Sequence, residues 1–199
     1  MISKELHIAK ITEGIEVLPL LQRLETQPEL WDEITARQDT PGSPHSSTRT
    51  IFLRWSKEMS LEAVFNSTEA VDYPALSKLP EAQGIIREVM DAVGSGELGR
   101  VLIVELGPWA AVDKHADTGV YADHFERFHV PLAHSDGSVF YVEDTPGCGQ
   151  YAHMRAGEVF WFNHKKEHFA VNDSDFTRIH MIIDCVAPKY RRERDEVSA

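Results

Sequence analysis

The sequence predicts a mainly β chain with flanking helices, whose second half forms a β-sandwich or jelly roll. Two observations carry that prediction. After Gly99, short apolar runs recur between turn signals at the spacing of antiparallel strands. Before it, two apolar runs repeat at helical spacing and one stretch alternates as a strand does. A chain of 199 residues that is 42% hydrophobic can bury one sizeable core. We expect residues 1–98 to form a helical and strand-containing extension packed on the barrel. Residues 99–188 would form the β core and residues 189–199 a charged tail, one compact domain in all.

In order along the chain, Ile15, Val17, Leu18, Leu21 and Leu24 recur at helical spacing and predict an amphipathic helix over 13–24. Residues 38–47 carry Asp39-Thr40-Pro41-Gly42-Ser43-Pro44, too polar and too broken for the interior of an element. Residues 49–55 alternate as a half-buried strand would. A second helix over 81–93 lines up Ile85, Ile86, Val89, Met90 and Val93, and Gly94-Ser95-Gly96 ends it. Strands follow over 100–106, 128–133, 139–142, 151–154, 159–162, 168–171 and 177–185.

Charge and composition exclude several functions. With 20 Lys and Arg against 32 Asp and Glu, a net charge of −12 leaves no cationic surface for phosphates, so no nucleic-acid role is expected. An acidic membrane surface is equally disfavoured. The start, Met1-Ile2-Ser3-Lys4-Glu5-Leu6-His7, lacks the apolar stretch of an export signal, and no run reaches the ~20 apolar residues of a membrane span, so a cytoplasmic location is expected. Cys148 and Cys185 are too few for a disulfide scaffold and are expected to be free, buried thiols.

Against that background His115-Ala116-Asp117 stands out, with His168 far downstream and Arg178 beyond it. Two imidazoles and one carboxylate can hold Fe(II) on three corners and leave three adjacent positions open. His134-Ser135-Asp136 has the same spacing but runs into Gly137, the composition of a tight turn between strands. His115 and Asp117 instead follow the apolar run 101–104 and the breaker Gly107-Pro108, where a buried strand gives way to a loop. A turn whose His and Asp only cap each other remains the alternative.

Further motifs come in fixed order: Arg127-Phe128-His129-Val130-Pro131-Leu132, then the run from His153 to Phe162, His168-Phe169-Ala170-Val171-Asn172-Asp173-Ser174, and Arg178-Ile179-His180. Over residues 101–186 this set resembles the aspartyl/asparaginyl β-hydroxylase family of 2-oxoglutarate- and iron-dependent oxygenases. The resemblance implies a double-stranded β-helix core, the jelly roll of cupin-like enzymes. It implies that His115 and His168 bind iron, that Arg178 binds the far carboxylate of 2-oxoglutarate, and that Arg127 and His129 lie near its oxo-acid end. Peptide-modifying members lack a carboxylate at the position of Asp117, whereas bacterial members acting on free amino acids commonly keep it. Asp117 thus suggests a complete triad and a small substrate.

The expected activity is therefore hydroxylation of a small polar molecule, a free amino acid or a related carboxylate, using Fe(II), 2-oxoglutarate and O2. Alternatives are a peptidyl Asp/Asn β-hydroxylase, and a cupin-type metal enzyme or non-catalytic binding domain that does not use 2-oxoglutarate. Strand alternation puts Arg127 with His129 on one face, and Arg178 with His180 and Ile182 on one face. A buried Arg178 would otherwise need a partner such as Asp184. Candidate substrate contacts are His45, Ser46, Ser47, Thr48 and Arg49, with His153, Arg155 and His180. Against those assignments, Arg49 could simply pair across strands, and His164 could stand on an exposed turn with Lys165 and Lys166. Phe160, Trp161 and Phe162 either wall the site or serve as plain core.

Overall fold

The computed structural model describes residues 6–192. Two antiparallel sheets pack face to face as a jelly roll. Before the β core come β1 (Ile8–Thr12), α1 (Leu18–Glu25), a 3-10 turn (Pro28–Leu30), α2 (Ala36–Asp39) and β2 (Thr48–Trp55), then α3 (Leu61–Asn66), β3 (Val71–Asp72), α4 (Pro74–Lys78) and α5 (Glu81–Val93). The core runs β4 (Leu98–Leu106), β5 (Ala110–His115), α6 (Val120–His124), β6 (Glu126–Ala133), β7 (Ser138–Thr145), β8 (Cys148–Ala152), β9 (Val159–Phe162), β10 (His168–Asn172) and β11 (Arg178–Cys185). The larger sheet has the order β1-β9-β6-β11-β4-β2-β3 and the smaller β5-β10-β7-β8. Strands β1, β2 and β3, from before residue 99, thus complete the larger sheet.

Both faces of the larger sheet are covered, and this decides how its strands read. One face carries Leu53, Val101, Ile103, Val130, Trp161, Met181 and Ile183 against α1, α4 and α5. The other carries Leu106, Phe160 and Phe162 toward the smaller sheet, and Phe52, Leu102, Val104 and Ile182 toward an open end. With two buried faces, 101–104 is a continuous apolar run rather than an alternating one. For the same reason β2 is not the half-buried strand expected: Ile51, Phe52 and Leu53 are all buried in succession.

Helix α5 has the predicted span. Ala82, Ile85, Ile86, Val89 and Val93 are buried, and Gly94 ends it at φ +70° with its amide on the carbonyls of Met90 and Asp91. Met90 is only partly buried. Helix α1 begins at Leu18, not at residue 13, with Pro19 in its first turn. A proline has no N–H to donate backwards and disfavours helix in the residue before it, so it opens a helix and cannot sit within one. Ile15 and Val17 are still buried, but ahead of the helix: the Ile15 amide donates to the Gly157 carbonyl at 3.0 Å, and Val17 is the N-cap.

Other departures have similar local causes. Strand β8 ends at Ala152, and Met154 is buried outside the ladder. β5, unanticipated, reads Ala-Ala-Val-Asp-Lys-His on the edge of the smaller sheet, and its polar half-exposed face hides the strand pattern. β1 was likewise unmarked, being a short edge strand. Cys185 is buried as expected, but Cys148 is exposed. Part of the charged tail is not solvated: Tyr190 is buried against Phe128 and Trp161, and Lys165 Nζ donates to the Arg192 carbonyl at 2.7 Å. Residues 193–199 of that expected tail lie outside the described residues. Among the described residues no helix is long and apolar enough to cross a membrane.

Candidate active site

The smaller sheet brings two distant histidines together. His115 closes β5, His168 opens β10, and the two are register partners with ring centroids 4.3 Å apart. In each ring Nδ1 faces a carbonyl two residues earlier, Asp113 at 2.7 Å and Lys166 at 2.9 Å. Donation from Nδ1–H fixes the tautomer and leaves both Nε2 atoms as lone-pair donors. Asp117, two residues past β5, is held by its own amide on the His164 carbonyl at 2.9 Å. One donor atom from each of His115, Asp117 and His168 lies within 4.8 Å of the others. Burial pushes the His115 imidazole down and that of His168 down to about 3, so both are neutral, the form that ligates a metal.

Asp117 is a half-buried carboxylate that stays charged. Burial alone would raise its pKa, but Arg127 beside it, with a hydrogen bond from His164, holds it well below the usual carboxylate range. Arg127 Nη1 donates to Asp117 Oδ2 and His164 Nδ1 lies 3.1 Å from the same oxygen. Arg127 then bridges to Asp184 through Nε at 2.8 Å and Nη2 at 2.9 Å, and Tyr121 donates to Asp184 at 3.1 Å. Arg127 therefore braces the carboxylate of the triad. Asp184 is not the partner of Arg178. His164 is not on an exposed turn: it is 2% exposed, with Nε2 3.1 Å from the Phe125 carbonyl.

Beyond the histidines a narrow inner recess runs between the sheets. Arg178, His180, Ile182 and Asp184 alternate inward along β11, and Arg127 with His129 does so along β6. Arg178 is buried, its Nη2 donates to His180 Nδ1 at 2.9 Å, and His129 Nδ1 lies 3.3 Å further on. No carboxylate of the described residues pairs with Arg178, and burial pushes its guanidinium down to about 9. Phe140 and Phe162 pack around His168 and His129, whereas Trp161 points the other way into the helix-covered core. The aromatic strand thus serves both expected purposes, one on each face.

On the other side of the triad an outer cavity of about 440 Å³ opens, lined by the 36–45 segment, β2 and α3. His45 belongs to it, its ring 4.8 Å from that of His115. Arg49 does not: it pairs with Asp32 at 2.7 Å and Glu105 at 3.5 Å on the exterior. His153 and Arg155 are exposed and line neither space. Of the expected substrate contacts the fold gathers His45 and His180. Sequence reasoning missed Arg37 and Arg100, which line the outer cavity, and offered Asp184 only as a partner for Arg178. Only Asp184 left a signal, the inward parity it shares with Arg178. His134 and Asp136 are exposed on the β6–β7 turn, and no third ligand joins them among the described residues.

Residues 17–188 match the model of the aspartyl/asparaginyl β-hydroxylase family. The chain belongs to that family. It is thus a 2-oxoglutarate-dependent hydroxylase, with Fe(II), 2-oxoglutarate and O2 as its cofactor and co-substrates. Similar solved structures share the fold at low identity. A Pseudomonas putida prolyl-4-hydroxylase is 11% identical over 94% of this chain and 93% of its own, with TM-score 0.57. A 2-oxoglutarate-Fe(II) oxygenase family oxidoreductase from Burkholderia pseudomallei is 13% identical over 74% and 71%, with TM-score 0.53. HygX from Streptomyces hygroscopicus, solved with nickel and 2-oxoglutarate bound, is 15% identical over 96% and 87%, with TM-score 0.52. No curated protein matches the chain significantly.

Proposed function

We propose that this enzyme hydroxylates a small molecule bearing a carboxylate, with Fe(II) held by His115, Asp117 and His168 and 2-oxoglutarate anchored on Arg178. One observation carries the reading: the triad sits where the inner recess meets the outer cavity, so each space can deliver one reactant to the same three donor atoms. The donor set suits iron, because two neutral imidazoles and one carboxylate leave adjacent positions open. A buried guanidinium with no carboxylate partner among the described residues suits the far end of a dicarboxylate, which can be held bidentately. HygX, which binds nickel and 2-oxoglutarate on the same fold, supports this use of the recess. When bound, iron with 2-oxoglutarate and O2 supplies the oxidising power that places one oxygen on a substrate C–H bond and leaves succinate and CO2.

The chain's own residues orient and insulate. Arg127 and His164 fix the Asp117 carboxylate, His129 and His180 line the path to Arg178, and Phe140 and Phe162 keep water from the histidines. The size of the outer cavity, within the range of small-ligand sites, favours a small substrate over a polypeptide. The test is anaerobic titration with Fe(II) and 2-oxoglutarate, which should give an absorption band at about 500 nm, as a chelate on a facial site requires. Succinate release is then measured across free amino acids, small carboxylates and Asp- or Asn-containing peptides, with the product checked for one added oxygen. Stimulation by peptides alone would replace the small-molecule reading with the peptidyl one.

A further inference from the structure

The outer cavity is one-sided in its polar chemistry. Arg37, in α2, has its Nη1 buried without an acceptor, and its Nη2 lies 3.2 and 3.1 Å from the two ring nitrogens of His45. Arg100, 4% exposed, has its guanidinium carbon 3.5 Å from the Tyr121 ring centroid and 4.4 Å from that of Trp55. Those faces stack on the cation but accept no N–H, and Nε and Nη2 of Arg100 are buried without acceptors, as is Nε1 of Trp55. All three side chains line the cavity. Buried donors without acceptors are costly, and charged ones most of all. Burial pushes Arg37 down to about 9 and Arg100 down as well, the mark of cations not neutralised by what surrounds them.

The acceptor side is nearly bare. Asp117 is the one carboxylate among the described residues lining the cavity, and its Oδ2 already faces Arg127 and His164. Asp184, the next nearest, is taken by Arg127 and Tyr121. Much of the rest of the wall is apolar, Phe52, Leu102, Val64 and Phe65 among others, and the hydroxyls of Thr40 and Ser43 in it donate to the Ala36 and Arg37 carbonyls. Position matters too, because Arg37 reaches the metal ligands through a single intervening ring, His45.

We propose that Arg37, with Arg100 behind it, receives a carboxylate of the molecule to be hydroxylated, and that this molecule has an apolar body and no free ammonium group. This rests on the reading that the outer cavity takes the substrate. It narrows the substrate class from free amino acids to acids such as acylated amino acids or aliphatic hydroxy and carboxylic acids. A zwitterion would bring its ammonium into a wall of guanidiniums and hydrocarbon with no unused carboxylate to meet it. An apolar acid meets donors at one end and carbon along its length.

The experiment uses the full chain loaded with redox-inert Zn(II) and saturating 2-oxoglutarate, so that Arg178 is occupied. Calorimetry then follows binding of hexanoate, hexanamide, 2-aminohexanoate and N-acetyl-2-aminohexanoate. Hexanoate and the acetylated acid should bind at least about tenfold more tightly than the neutral amide and the zwitterion, the scale of one charge-assisted hydrogen bond. Arg37→Gln should abolish that preference and Arg37→Lys should keep part of it. Equal binding of hexanoate and hexanamide to the unaltered protein, or tightest binding by 2-aminohexanoate, overturns the proposal without any variant. Full preference in a folded Arg37→Gln protein overturns the role of Arg37. Failure of 2-oxoglutarate to bind at the loading step sinks the proposed function itself, so the two failures are separately visible.

Discussion

Asp117 illustrates how one residue depends on its neighbours. Desolvation alone would favour the protonated form of this half-buried carboxylate, and what holds it ionised is Arg127, itself anchored bidentately by Asp184. Weakening the brace should therefore weaken the metal site without touching a ligand. His164→Gln or Arg127→Lys should lower metal affinity by about ten- to a hundredfold, the usual cost of losing a group that orients a ligand. Metal titration monitored by a competing chelator reads this directly, and unchanged affinity in both variants would show that Asp117 needs no brace. His168→Ala removes one of the three proposed ligands and should lose metal and turnover together, whereas His134→Ala should lose neither. Arg178→Lys should weaken 2-oxoglutarate by about tenfold or more while metal content holds, because an ammonium cannot reproduce the bidentate fork.

Elements matter because they turn sequence parity into a common direction. Along β11 the even positions 178 to 184 face the reaction space and the odd positions from Met181 to Cys185 face the helices. A one-residue slip would exchange the site for the core, so the register must be held from both sides, by β4 and β6. The approach to α1 is held more tightly than its loop character suggests. Gly157 sits at φ +78°, and a Cβ there would come within 2.7 Å of the carbonyl of Ile15, whose amide donates to the Gly157 carbonyl. Gly157→Ala is expected to cost about 1–3 kcal/mol from the strained backbone and lost contact. A thermal midpoint equal to that of the unaltered protein would show that this junction yields freely.

At the scale of the whole molecule, a reactive site of mostly neutral histidines inside an acidic protein makes stability depend on pH. Burial holds His129 and His180 well below the usual imidazole value, as it does His168, pushed down to about 3. Above pH ~6.5 these groups are neutral in both folded and unfolded chains and contribute nothing. Below it the unfolded chain binds protons that the folded chain refuses, so each costs up to about 1.4 kcal/mol per pH unit until its folded pKa is reached. Metal-free protein should lose stability steadily from pH 6.5 downward in urea titrations, and a flat profile to pH 4 would contradict the burial of these rings. The sequence by itself determined the jelly roll and α5 to the residue, and it singled out His115, Asp117, His168 and Arg178 as the candidates the proposal uses, because those rest on periodicity and on residue types that little else requires. It could not assign β5, whose edge position lets polar residues break the pattern, nor the start of α1, where burial continues past the helix. Only tertiary structure decided that Arg127 serves Asp117, that Arg49 and Arg155 face outward, and that Arg37 and Arg100 face the cavity. An arginine's partner is chosen by whatever charge packing brings within a few ångströms, and residues separated by more than fifty positions, such as Arg127 and Asp184, carry no mark of each other in the chain.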